Sequence, residues 1–202
     1  MQTKYSYWCF RDVLSQQEIN KIKRIAVKSG YSSSTTRGHE LSLNEPNLNV
    51  RDTDVSFSND EWLYDILCPF LYGANESAGW NYDIDWCEDV QIARYKKNQH
   101  YGWHPDGGSD IHGAYDENDN GKRRVRKLSL VAILSDKHVG GELEFSIQST
   151  FDPNTVLNEI LKPKLNLGDV VVFPSYVFHR STPIEKGTKY SVTMWCLGSP
   201  FK

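Results

Sequence analysis

A chain of 202 residues with 39% apolar and 24% charged residues has the balance of one globular domain with room for a single core. Its net charge of −3 gives no electrostatic reason to expect nucleic acid or an anionic membrane as a partner. No apolar run approaches the ~20 residues that span a bilayer, and the opening MQTKYSYWCF lacks the charged-then-apolar design of a signal peptide. A cytoplasmic protein is the expectation. Cys9, Cys68, Cys87 and Cys196 are scattered without a C-x-x-C pair, so they read as reduced thiols rather than as a disulfide or zinc set.

In chain order, Ser15-Gln16-Gln17-Glu18 is a capping box, with Leu14 and Ile19 at the staple positions. Ile19, Ile22, Ile25 and Ala26 then form one apolar stripe, and Ser29-Gly30 stops the helix. Residues 31–49 are polar and weakly patterned, a loop with at most one short strand. Val50 to Phe57 alternates loosely as a strand. Ser58-Asn59-Asp60-Glu61 is a second capping box ahead of a helical run from Trp62 to Leu71, which Pro69 should kink or restart. After Gly79 the pattern turns to β, with strands expected over Trp80–Ile84, Asp89–Tyr95, Leu128–Leu134, Glu142–Ile147, Val170–Phe173 and Tyr190–Leu197. Two helices followed by at least six strands predict a mostly β domain with flanking α: a double-stranded β-helix of jelly-roll, cupin-like type, packed by N-terminal helices. In that plan, residues 1–202 are one domain. Residues 1–79 are a helical support region, and residues 80–202 are the jelly-roll core. The glycine- and charge-rich stretch 107–127 is a mobile lid.

The chemistry gathers after the strand ending at Tyr95. Pro105 disfavours a helical conformation at His104, and on an extended chain side chains two apart point the same way. His104 and Asp106 would therefore face one point. The tripeptide alone is weak evidence; its weight comes from His179, which follows the apolar run Val170 to Phe173. Two histidines and a carboxylate leave about half of an octahedral metal's positions open, the facial arrangement of non-haem Fe(II) oxygenases. In the last strand Lys189, Ser191, Thr193 and Trp195 share one face, opposite Tyr190, Val192, Met194 and Cys196. A lysine turned into a barrel is costly unless it meets an anion. A bound dicarboxylate would explain it.

Three stretches, QIARYKKNQHYGWHPD, LSLVAILSDKHVGGELEF and LNLGDVVVFPSYVFHRSTPIEKGTKYSVTMW, cover about half the chain within residues 91–195. Their order resembles the 2-oxoglutarate- and Fe(II)-dependent dioxygenases, specifically the prolyl 4-hydroxylase-like branch (PKHD-type hydroxylases). The resemblance implies that His104, Asp106 and His179 bind Fe(II), and that Lys189 pairs with the distal carboxylate of 2-oxoglutarate. It also implies that the Tyr95 hydroxyl contacts the co-substrate, with Ser191 a further contact on the same inward face. It implies Fe(II), 2-oxoglutarate, O₂ and ascorbate as cofactors, release of succinate and CO₂, and a proline-containing peptide or protein as substrate. Trp103 and Trp195 are expected beside the substrate. The rival readings are a small-molecule amino-acid hydroxylase, a nucleic-acid dealkylase prompted by Arg123, Arg124, Arg126 and Lys127, and an idle jelly-roll binding domain. The net charge and the acidic stretch beside the basic run argue against nucleic acid.

Overall fold

The computed structural model describes residues 5–34, 50–107, 114–115, 124–148 and 158–201. Helix α1 (Gln16–Ser29) is capped as its sequence predicts: the Ser15 hydroxyl accepts from the Glu18 amide while the Glu18 carboxylate accepts from the Ser15 amide. Helix α2 (Glu61–Ser77) departs from expectation at its cap. Its cap is Asp60, which accepts from the Trp62 amide, and Ser58 instead accepts from the Asp60 amide one step earlier. Pro69 sits inside the helix without ending it. Burial of Leu63, Leu67, Leu71 and Ala74 along one face outweighs the loss of one backbone hydrogen bond.

The strands are β1 (Trp8–Phe10), β2 (Ser32–Ser33), β3 (Arg51–Asp52), β4 (Asp54–Ser58), β5 (Trp86–Cys87), β6 (Val90–Tyr95), β7 (His100–His104) and β8 (Ala114–Tyr115). They continue with β9 (Arg124–Ile133), β10 (His138–Gly140), β11 (Leu143–Gln148), β12 (Asn158–Leu161), β13 (Val170–Pro174), β14 (Phe178–Ser181), β15 (Ile184–Gly187) and β16 (Lys189–Gly198). Among the described residues the large antiparallel sheet runs β1-β13-β9-β16-β6-β4-β2, with β5 added on β16 and β8 on β9. The smaller sheet runs β12-β11-β14-β7-β3, and β10 pairs with β15. This is the expected mostly β jelly-roll with helices on one side.

Alternation along the large sheet builds both cores. Leu128, Leu130, Ala132, Val170, Val172, Val192 and Met194 turn outward to pack with Ile19, Ile22, Leu67 and Leu71 of the helices. Val131, Ile133, Val171 and Phe173 turn inward to meet Leu143 and Phe145 of the smaller sheet. Strands buried on both faces explain the continuous apolar runs in the sequence. The expected strand at Val50–Phe57 is divided: β3 joins the smaller sheet through β7, and β4 joins the large sheet through β6. Trp80–Ile84 is not a strand. The Asn75 side chain donates to the Tyr82 carbonyl and accepts from its amide, which fixes an irregular path off the end of α2. The basic residues at 124–127 lie in strand rather than in a loop, since β9 begins at Arg124. Most of the predicted lid at 107–127, and the loop from 35 to 49, lie outside the described residues.

The cysteine expectation fails at one pair. Cys87 and Cys196 are direct partners across β5 and β16 and are disulfide-bonded, while Cys9 and Cys68 are free. The two are 109 residues apart, so only the strand pairing brings them together. No helix among the described residues is long and apolar enough to cross a membrane.

Denatured without reductant, the protein should present the two free thiols to an alkylating reagent, and all four cysteines after reduction; intact-mass measurement distinguishes the states. Leu67→Ala, at a side chain with no solvent exposure, should lower unfolding free energy by about 2–5 kcal/mol in urea titration.

Candidate metal and co-substrate site

The pairing of β14 with β7 sets His179 opposite His104, and both rings turn inward from the smaller sheet. Asp106 follows the end of β7. Its amide and that of Gly107 both donate to the Ser175 carbonyl, which holds the segment against the end of β13. One ligand atom from each of His104, Asp106 and His179 lies within 4.8 Å of the others. His104 Nε2 is 3.5 Å from Asp106 Oδ1, and His179 Nε2 is 3.5 Å from Asp106 Oδ2. The prediction that residues 104 and 106 face one point holds.

The donor set fits a divalent metal. His104 Nδ1 is 2.8 Å from the Gly102 carbonyl and His179 Nδ1 is 2.9 Å from the Val177 carbonyl. A carbonyl can only accept, so each Nδ1 carries a proton, and the neutral ring of that tautomer turns its Nε2 lone pair to the side of the carboxylate. The rings are fixed by packing as well. His104 stacks on Tyr101 at 3.5 Å between ring centres, and His179 meets the Phe173 ring at 4.7 Å. Ser129 donates to Asp106 Oδ2 at 2.7 Å, with Ser175 Oγ 3.0 Å from Ser129 Oγ. Neither serine stood out in the sequence, because a lone hydroxyl, Ser129 on a strand or Ser175 in a turn, has no local signature.

Burial alone would raise the Asp106 carboxyl, but His179, His104 and Arg126 outweigh it and hold it well below the usual carboxylate range. Burial pushes His179 down to about 4, against the opposing pull of Asp106. The imidazole is therefore neutral at pH 7, the form that coordinates metal. Lys189 is pushed down to about 8 by burial, with Glu142 pulling the other way.

Lys189 enters the same cavity from β16, together with Ser191, Thr193 and Trp195, while Tyr95 and Gln91 enter from β6. The inward face read from the sequence is therefore the observed one. Lys189 Nζ donates to the Gly141 carbonyl at 2.7 Å and to Ser181 Oγ at 3.0 Å, and lies 5.2 Å from the centre of the Tyr95 ring. Gly141 has φ +76, and a Cβ there would run into Ile184 and the Lys189 stem. Only glycine can bring its carbonyl this close to the ammonium. Beyond Lys189 lies a second, larger cavity of ≈ 620 Å³ between His138–Leu143 and Pro163–Leu167. Trp103 is not in the site. It sits on the other face of β7, with the Arg180 guanidinium 4.7 Å from its ring centre.

The family model of the 2OG-Fe(II) oxygenase superfamily matches residues 90–197. The chain belongs to this superfamily. A PKHD-type hydroxylase of Cupriavidus pinatubonensis is 33% identical over 104 residues, which is 50% of this chain and 40% of that protein. The PKHD-type hydroxylase YbiX of Escherichia coli is 36% identical over the same length and the same shares. The chain thus matches less than half the length of these relatives. Among solved structures it resembles a Pseudomonas putida prolyl-4-hydroxylase, with TM-score 0.66 and 14% identity over 96% of this chain and 93% of that one. It also resembles a prolyl hydroxylase of Trichoplax adhaerens solved with a hypoxia inducible factor peptide fragment, with TM-score 0.64 and 15% identity over 96% and 84% of the two chains. At such identities these likenesses speak to the fold.

The basic run that suggested a nucleic-acid substrate is used within this oxygenase domain. Arg124 pairs with Asp85, Lys127 Nζ lies 3.4 Å from the centre of the Phe201 ring, and Arg126 binds both carboxylate oxygens of Glu88. Arg126 also donates to the Asp106 carbonyl and lies 4.1 Å from the centre of the Trp195 ring. Arg126→Lys, which cannot reproduce that fork, should cost about 1–3 kcal/mol of stability in urea titration.

Proposed function

We propose that the protein is an Fe(II)- and 2-oxoglutarate-dependent dioxygenase that hydroxylates a prolyl residue in a peptide or protein. The observation that carries this reading is the convergence of His104, Asp106, His179 and the buried Lys189 ammonium on one cavity. His104, Asp106 and His179 would hold Fe(II) on one face, leaving its other positions to co-substrate and O₂. Bound there, the iron supplies the C–H oxidation, with succinate and CO₂ as co-products and ascorbate as the maintaining reductant.

The protein's own part is orientation. Lys189 offers the ammonium for the distal carboxylate of 2-oxoglutarate, and Tyr95 and Ser191 flank the path to the metal from the same interior face. Holding the co-substrate at its far end fixes how its keto acid meets the iron. Val131 and Leu143 line the cavity with apolar surface, which would keep water from the reacting carbon. The peptide substrate finds support in the Trichoplax adhaerens enzyme, whose structure was solved with a peptide.

The direct test is mass spectrometry of proline-containing peptides incubated with the protein, Fe(II), 2-oxoglutarate, O₂ and ascorbate. The expected result is a gain of one oxygen that requires 2-oxoglutarate and disappears in His179→Ala; unchanged hydroxylation by that variant would show the metal set to be misassigned. Lys189 gives a second test. With its ordinary protonation shifted down to about 8, the ammonium is present at pH 7 and lost above pH 8. Affinity for 2-oxoglutarate should stay level below pH 8 and then weaken, approaching about tenfold per pH unit. Lys189→Arg, charged throughout, should remove that slope in calorimetric titration.

A further inference from the structure

Beside the cavity, against the lining residues Gln91 and Tyr101, lies a buried cation that the proposed co-substrate does not use. Arg51 on β3 stands opposite Tyr101 on β7, which turns its side chain toward the space between the sheets. Arg51 is 9% exposed. Its Nη2 donates to Gln91 Oε1 across the cleft at 2.9 Å, and its guanidinium lies 4.4 Å from the centre of the Tyr101 ring, the ring stacked on His104. Its Nε–H is buried without a partner. Among the described residues no carboxylate forms an ion pair with it, unlike Arg94, Arg124, Arg126 and Arg180, each of which has one. Taking a guanidinium out of water is costly unless an anion compensates, and neither an amide nor an aromatic face carries a full negative charge.

A second observation points the same way. The Trp195 indole N–H is buried in the wall of the metal cavity and also has no partner. Gln91, in that same wall, turns its oxygen to Arg51, which leaves its NH₂ to meet a ligand. The guanidinium, the indole and the amide are all donors. Three donors gathered beside a buried positive charge suit an oxyanion. The Lys189 ammonium answers the co-substrate's distal carboxylate, so Arg51 is left for a different molecule.

We propose that the substrate carries a carboxylate near the carbon that is hydroxylated, and that Arg51 binds it. This rests on the dioxygenase reading above and narrows its substrate class. The carboxylate belongs either to an acidic residue flanking the target in a peptide or to a free amino acid; the recognition chemistry is the same.

The test is calorimetry on protein loaded with Mn(II) and 2-oxoglutarate and kept free of oxygen, so that binding is read without turnover. Three acid–amide pairs serve as probes: acetyl-Asp-Pro-Asp-amide against acetyl-Asn-Pro-Asn-amide, L-proline against L-prolinamide, and propionate against propionamide. At least one acid should bind about tenfold or more tightly than its amide. Arg51→Gln should reduce that preference to about twofold or less and Arg51→Lys should keep part of it, while the affinity for 2-oxoglutarate, titrated separately as the check on folding, stays within about twofold. Preference in the first or second pair distinguishes peptide from free amino acid. Preference in the propionate pair alone would uphold the anion site and count against proline as the target. The proposal falls if no acid outbinds its amide at millimolar concentration, or if Arg51→Gln keeps the preference. Failure of the wild-type protein to bind 2-oxoglutarate at all would instead overturn the dioxygenase reading.

Discussion

The site depends on two backbone carbonyl groups, that of Gly102 in β7 and that of Val177 in the turn just ahead of β14. By accepting from Nδ1, each fixes the tautomer of the histidine two residues further on and turns its Nε2 lone pair to the centre of the cavity. Gly102 is held by strand pairing, since β7 lies between β3 and β14, and Val177 by a turn in which its amide donates to the Pro174 carbonyl just before β14 pairs with β7 and β11. The ligand geometry is thus a property of backbone register rather than of flexible side chains. A one-residue slip between β7 and β14 would turn an imidazole out to the face that Trp103 and Arg180 occupy.

Charge placement follows the same economy. The side chain of Asp106 is 5% exposed and the two histidines beside it are largely buried, so its ionised form needs compensation that solvent does not provide. Ser129 gives it a hydrogen bond, and Arg126 holds the backbone one atom group away while bound to Glu88. Arg126 thereby links β9, the approach to β6 and the segment carrying the carboxylate. The Cys87–Cys196 disulfide sits one residue from Glu88 on one strand and one residue from Trp195 on the other. It ties together the two elements between which the Arg126 guanidinium is held.

What was legible in the sequence was whatever alternation or capping chemistry records locally. Val170 to Phe173 reads as a strand because both its faces are apolar, and Ser15 with Glu18 reads as a helix start because the two side chains answer each other. His104 and Asp106 were visible through an extended geometry enforced by Pro105, and the inward set on β16 through its period of two. Strands β7 and β14 were not visible as strands. His100–His104 and Phe178–Ser181 mix charged, aromatic and small residues because one face carries the candidate metal ligands and the other is partly exposed, and that combination has no apolar periodicity. Ser129, Gly141 and the disulfide were hidden for a different reason: each acts on a partner far away in the chain, and only the folded sheets bring them together.

The division between shared and particular features follows the chain. The superfamily match begins at residue 90 and ends at 197, and that span contains all three candidate metal ligands and Lys189. Arg51 lies outside it, on a two-residue strand that joins the smaller sheet only through β7. Chemistry that depends on a fixed ligand geometry needs a paired backbone, and this span supplies one where β7 pairs with β14. Discrimination among substrates needs groups that can differ from one member to the next without disturbing that geometry. An edge strand contributing one cation beside the cleft meets this requirement, because replacing the Arg51 side chain alters the local charge while the backbone pairing of β7 with β14 does not run through it.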